Sequence, residues 1–214
     1  MPDIKRYPID LIACNNISKR YMYEKVLIDF IYTFEIDKCY GLRGPNGSGK
    51  STLIKILSGF STPSKGSILF SVKGHPVNIS DVFAQVTIAA PYIELIDEMT
   101  VDELLHFHHG LRPFYSYDLA VNEVKQLPFK GILSKRISEL SSGMKQRIKL
   151  ILALLAKASI VLLDEPGSNL DASGKDWFEQ LLLRNKSNKI IIIASNEEDD
   201  LRQATEFVYL SDYK

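Results

Sequence analysis

Eight residues, Gly44 to Ser51, carry the densest chemistry in the chain. They read "GPNGSGKS" inside "CYGLRGPNGSGKSTLIKIL" and satisfy G-x-x-x-x-G-K-[ST]. Glycine weakens both strands and helices, so three within six residues need a reason. Backbone N–H groups freed of side chains can turn inward as a concave anion nest at a helix N-terminus. Gly44, Pro45, Asn46, Gly47, Ser48, Gly49, Lys50, Ser51 and Thr52 are therefore the candidate triphosphate contacts. Lys50 would set its charge against the β- and γ-phosphates, and the Ser51 hydroxyl would ligate Mg²⁺. The plainer alternative is a Gly-rich strand-to-helix turn with a solvated lysine. Strand-like "CYGLR" before the loop and helix-like "STLIKILSGF" after it favour the nest.

A phosphate loop needs a carboxylate at the end of a buried strand, and "SIVLLDEP" supplies two. Asp164 suits Mg²⁺, often through water, and Glu165 suits the general base that polarises an attacking water. Adjacent acids are common at ordinary strand ends, so it is the pairing with the loop that carries the reading. The four histidines, 75, 106, 108 and 109, show no carboxylate or cysteine spaced to join them at a metal. Three of them share "LLHFHHGL", where His106 and His109 fall on one helix face.

These groups need elements to hold them. Extended runs come first, at 8–14, 25–36 and 67–72, with "GH" and "PVN" following as turn signals. The fully apolar runs "IVLLD", "IIIIA" and "FVYLS" are of the buried parallel type, each beside a helical pattern. A parallel sheet covered by helices follows, with an antiparallel β subdomain ahead of it. From about Tyr92 to Lys145 the texture turns helical, with Thr100 and Ser116 as candidate N-caps. Glu103 stands three residues after Thr100, a capping-box spacing.

Length and composition set bounds on the rest. The 214 residues, 45% hydrophobic and 24% charged, suit one domain, 1–214, with the helical segment 92–145 inserted in it. Lys plus Arg, 26, balances Asp plus Glu, 26, so no global basic field argues for nucleic acid. Cys14 and Cys39 read as small buried hydrophobes of a reducing compartment. No apolar run approaches the roughly 18 residues of a membrane span, so any membrane role is expected through a partner.

Residues 140–147, "LSSGMKQR", run into the apolar helix "IKLILALLAKA" 24 positions ahead of Asp164. This resembles the L-S-G-G-Q signature of ATP-binding cassette (ABC) ATPases. "PGSNLD" (166–171) looks like the family's D-loop with Asp171 at its aspartate, and "ISKRY" (17–21) like the segment whose aromatic, here Tyr21, stacks on adenine. The resemblance implies an α/β P-loop NTPase fold whose helical subdomain bears the signature. It also implies ATP and Mg²⁺ as cofactors, and a head-to-tail dimer with a second copy or a homologous subunit. In that dimer Ser141, Ser142 and Gly143 would meet the γ-phosphate held by the other subunit's loop.

Two positions depart from the pattern. Pro91 or Tyr92 stands where a glutamine is usual, and neither offers an amide; Asn196 stands where a histidine is usual. Asn196 can hydrogen-bond a γ-phosphate but cannot carry a proton. Ser142 and Met144 replace the second glycine and the glutamine of the signature. With Glu165 kept, the expectation is an active but slow ATPase; the competing reading binds ATP and hydrolyses it only beside a complete partner. The minimal cassette resembles the motor of a transporter, held at the cytoplasmic face of the membrane by a separate transmembrane permease. A soluble nucleotide-gated switch using the same dimer is the other class.

Overall fold

A computed structural model of the chain describes residues 7–213. The chain runs β1 (Leu11–Tyr21), β2 (Glu24–Glu35), β3 (Lys38–Arg43), α1 (Lys50–Leu57), β4 (Lys65–Val72), β5 (His75–Pro76), the single-turn α2 (Ile79–Val82) and β6 (Val86–Ala89). It continues through α3 (Val101–Leu111), α4 (Tyr117–Lys125), α5 (Ser142–Leu155), β7 (Ile160–Asp164), α6 (Ala172–Asn185), β8 (Ile190–Ala194) and β9 (Glu206–Tyr209).

Two sheets result. The antiparallel one orders as β2-β1-β4-β5, and the other, β6-β7-β8-β3-β9, is parallel throughout. Every residue of β7 and of β8 is buried, as expected of strands covered on both faces. Their side chains alternate between two cores. Val161, Leu163, Ile191 and Ile193 pack with α3, α4, α5 and α6, whereas Ile160, Leu162, Ile190 and Ile192 pack with α1 and the antiparallel sheet. Cys14 and Cys39 are buried free thiols, one in each core.

Some boundaries differ from the sequence expectation. β1 extends past residue 14 through polar "NNISKRY", because bulged ladders to β2 and β4 carry it there. His75 and Pro76, expected in a turn, pair with β4 as the short β5; the turn is Lys73–Gly74. "FVYLS" leaves the sheet after Tyr209. The segment 92–145 is not closed off at its end, since α5 passes through Lys145 and runs to Leu155, under the sheet.

The helix starts follow local chemistry. Thr100 caps α3 by accepting from the Glu103 N–H, and the Glu103 carboxylate accepts from the Thr100 N–H at 2.8 Å. Ser116 caps α4. At the other end of α5, buried Lys189 donates to the Leu154 carbonyl, and burial pulls its ammonium down to about 8.

Candidate functional site

One row of the parallel sheet assembles the site. Leu42 of β3, Ala194 of β8 and Asp164 of β7 are paired side by side, and Ala89 pairs with Leu163 one step back. Parallel strands end on the same edge, so the segments that follow them converge there. Those segments are the Gly44–Gly49 loop, Glu165, Ser195–Asn196 and Ala90–Tyr92.

The loop turns through Gly44, Gly47 and Gly49 at φ 153°, 77° and 100°, the last two in the left-handed region where side chains are strained. Gly49 forms the N-cap of α1 and lies against the Val26 carbonyl of β2. Lys50 opens the helix, 6% exposed, and its Nζ donates to the Gly44 carbonyl at 2.6 Å and to Asn196 Oδ1 at 2.9 Å. Burial lowers the lysine's pKa, while Glu165 and Asp164 pull it back up. The Asn196 amide also donates to Asn46 Oδ1 at 2.9 Å, so Asn196 bridges the loop and its lysine.

Asp164 is buried, and burial raises its carboxyl's pKa against the opposing effects of a Ser51 hydrogen bond and of Lys50 and Lys55. Its Oδ1 has no hydrogen-bond partner. A buried, half-satisfied carboxylate beside a hydroxyl is a hard-oxygen pair of the kind Mg²⁺ takes, and the two residues fit that ion. Among the described residues no group of three or more His, Cys, Asp or Glu is placed to hold a metal, so phosphate and water oxygens would have to complete the shell. Glu165 follows at φ 48°, a strained backbone for a non-glycine, with its N–H on the Ala194 carbonyl at 2.8 Å. Its half-buried carboxylate is raised by burial first, and the Ser195 hydroxyl lies 3.1 Å away.

Ser141, Ser142, Gly143 and Asp171 are not brought to this cluster. They line a separate open cleft of ≈ 350 Å³ with Pro128, Arg147 and Asn169. Ser141 and Ser142 are exposed, and Ser141 caps α5 by accepting from Met144 N–H at 3.3 Å. A Cβ on Gly143 would meet the Asn169 carbonyl at 2.6 Å, so the start of α5 rests directly on the loop after β7. Buried Gln146 fastens the same two segments, donating to the Pro166 carbonyl at 2.8 Å. Asp171 caps α6, accepting from Gly174 N–H at 2.8 Å, and pairs with Arg147 at 3.2 Å. Tyr21 stands half exposed at the β1–β2 tip with Lys19 Nζ 5.0 Å from its ring centroid.

Three residues near the site were outside the sequence reading or dismissed by it. Tyr92 lacks an amide, yet its hydroxyl is buried without a partner and its ring lies 4.2 Å under Lys55 Nζ. Burial and the charge of Asp164 raise its phenol. Ser195 and Asp200 are both buried, and Ser195 Oγ lies 2.6 Å from Asp200 Oδ2. Their only sequence trace is position: one residue past a buried strand, and the last acid of "EEDD" before apolar Leu201. His106, His108 and His109 group around Tyr117 and Phe114, with the His106 and His109 rings 4.9 and 5.1 Å from the Tyr117 ring, while His75 stands apart in β5.

Residues 28–168 match the family model described as ABC transporter. An uncharacterized ABC transporter ATP-binding protein of Bacillus subtilis is 31% identical over 193 residues, covering 89% of this chain and 88% of that one. A Nod factor export ATP-binding protein of Rhizobium johnstonii is 32% identical over 180 residues, 80% of this chain but 57% of the relative, so the chain spans little more than half of it. The solved structure of a putative ABC transporter ATP-binding protein from Pyrococcus furiosus superposes with a TM-score of 0.80 at 27% identity, covering 95% of this chain and 99% of that one.

Proposed function

The chain belongs to the ABC transporter family as an ATP-binding subunit, and we propose that it hydrolyses MgATP to drive a membrane transporter through head-to-tail pairing. The observation that carries this is the convergence of Lys50, the Ser51–Asp164 pair and Glu165 on one strand edge. The loop amides and Lys50 grip the triphosphate, and Gly44–Thr52 form its cradle. Lys50 exchanges its backbone carbonyls and Asn196 for phosphate oxygens. Ser51 and Asp164 would hold Mg²⁺, which would supply charge neutralisation to the triphosphate. Glu165 takes the proton of a water attacking the γ-phosphorus as the bond to the bridging oxygen breaks. Tyr21 stacks on the adenine. The exposed Ser141–Gly143 turn closes over the nucleotide of the facing subunit, with the N-terminal dipole of α5 behind it.

The membrane side is served by a groove of ≈ 280 Å³ between β6 and α3, lined by Ile93, Leu95, Ile96, Phe107 and Leu111. No helix among the described residues is long and apolar enough to cross a membrane. A short helix of a separate membrane subunit would seat in the groove and hold this chain at the cytoplasmic face. Nothing in the balanced charge favours a nucleic-acid partner.

Glu165→Gln tests the chemistry. It should release no phosphate while binding MgATP as tightly as wild type and shifting to a dimer with ATP on light-scattering chromatography. Unreduced turnover in that variant overturns the role of Glu165. A second reading, hydrolysis only beside a complete partner, is favoured by Asn196, which holds Lys50 but cannot carry a proton. Comparing the isolated chain with the chain reconstituted beside its membrane subunit separates the two.

A further inference from the structure

Behind Glu165 lies a second carboxylate that the proposed chemistry does not use. Asp200 is 2% exposed and sits in the short turn after β8. Its Oδ2 is 2.6 Å from Ser195 Oγ, while the same Oγ is 3.1 Å from Glu165 Oε2 and accepts the Glu197 N–H at 3.1 Å. One hydroxyl proton therefore faces two carboxylates. A serine hydroxyl has a single proton to give and two lone pairs. At 2.6 Å the shorter contact has the length of a charge-assisted O–H···O⁻ bond, so the proton goes to Asp200. One lone pair is occupied by Glu197. The other points toward Glu165, where it can receive a proton but has none to offer.

We propose that Asp200 is a positioning residue: by taking the Ser195 proton it leaves Glu165 without an internal donor, free to turn to water. Rotation of the hydroxyl would instead tether Glu165 to Ser195 and occupy the oxygen meant for the attacking water. On its other side the carboxylate lies against the Gly167 backbone, its Oδ1 buried with no hydrogen-bond partner. A side chain at Gly167 would meet Asp200 Oδ1 at 2.0 Å, so the turn after Glu165 and the carboxylate behind it are fitted to each other. Asp200 and Glu165 are 35 residues apart in sequence; the pairing of Asp164 with Ala194 makes them neighbours.

The inference rests on the ATPase reading of Glu165, and its test reads both separately. Phosphate release and MgATP affinity, the latter by calorimetry, would be measured for wild type, Asp200→Ala, Ser195→Ala, Ser195→Thr and the double alanine variant. Tethering of Glu165 by the released hydroxyl should lower kcat about tenfold in Asp200→Ala, whereas Ser195→Ala, which has no hydroxyl to tether it, should keep wild-type kcat. KM and MgATP affinity should stay within about twofold, since the triphosphate contacts lie elsewhere. Ser195→Thr, whose hydroxyl Asp200 still holds, should also keep wild-type kcat. The double variant should regain most of the kcat lost in Asp200→Ala, because removing Ser195 removes the tether. Crystal structures should show the Glu165 carboxylate turned onto Ser195 in Asp200→Ala. A double variant as slow as Asp200→Ala, a Ser195→Ala enzyme slowed about tenfold, or an unmoved Glu165 would each overturn the proposal. Should Asp200→Ala not fold, Asp200→Asn, of the same shape but a weaker acceptor, takes its place, and relief of its loss by Ser195→Ala decides by the same kcat criterion. A wild-type chain that binds MgATP yet releases no phosphate sinks the ATPase reading instead, and the crystal structures still judge the positioning.

Discussion

Lys50 is held by the very groups that a triphosphate would displace: two oxygen partners within 3 Å, one of them Asn196. Lys50→Ala removes a buried cation whose hydrogen bonds to charged oxygens contribute about 2–3 kcal/mol, so MgATP affinity should fall on the order of a hundredfold by calorimetry. Tyr92 presents the opposite case. An unpartnered buried hydroxyl costs about 1 kcal/mol or more in the nucleotide-free protein, so Tyr92→Phe should raise the urea midpoint while the ring keeps its place under Lys55. If the midpoint falls, the hydroxyl is satisfied after all. At this scale the loop, Asp164 and Glu165 were legible because their chemistry lies in contiguous letters after apolar runs. Ser195, Asp200 and the setting of Tyr92 were not, since each acquires its meaning only when the register of β6, β7 and β8 sets strand ends beside one another.

Elements announced themselves where local chemistry suffices. The caps at Thr100 and Ser116 and the all-apolar β7 and β8 could be read directly, whereas β6 is four residues long, too short for a period to register. α3 also carries an acid-sensitive group. His108 stacks on Phe114 at 5.0 Å, and burial, then Arg112 and His109, hold its pKa down to about 4. An unfolded histidine takes a proton near 6.5. The folded state thus refuses a proton that the unfolded chain accepts. His108 costs nothing above about pH 6.5, and stability drains as the pH falls from there toward 4. Between pH 7 and 5 wild type should lose about 2 kcal/mol more than His108→Gln, measured by urea unfolding at each pH. Equal losses would show that His108 titrates freely.

For the molecule as a whole, the two kinds of strand run in the sequence foretold two sheets, and the parallel one stands between two cores. Its groove beside α3 leaves Leu111 73% exposed and Phe107 44% exposed. Leu111→Glu should abolish co-purification of a multi-span membrane protein while leaving MgATP affinity unchanged; retained co-purification would move the docking surface elsewhere. What no pattern in the letters disclosed is how the start of α5 is seated. Gln146 and Gly143 press it onto the loop that follows Asp164 and Glu165. The strand end bearing Asp164 and Glu165 and the exposed Ser141–Gly143 turn are thereby yoked. In the proposed head-to-tail pair, a change at one chain's nucleotide would be felt at the turn it lays over its neighbour's.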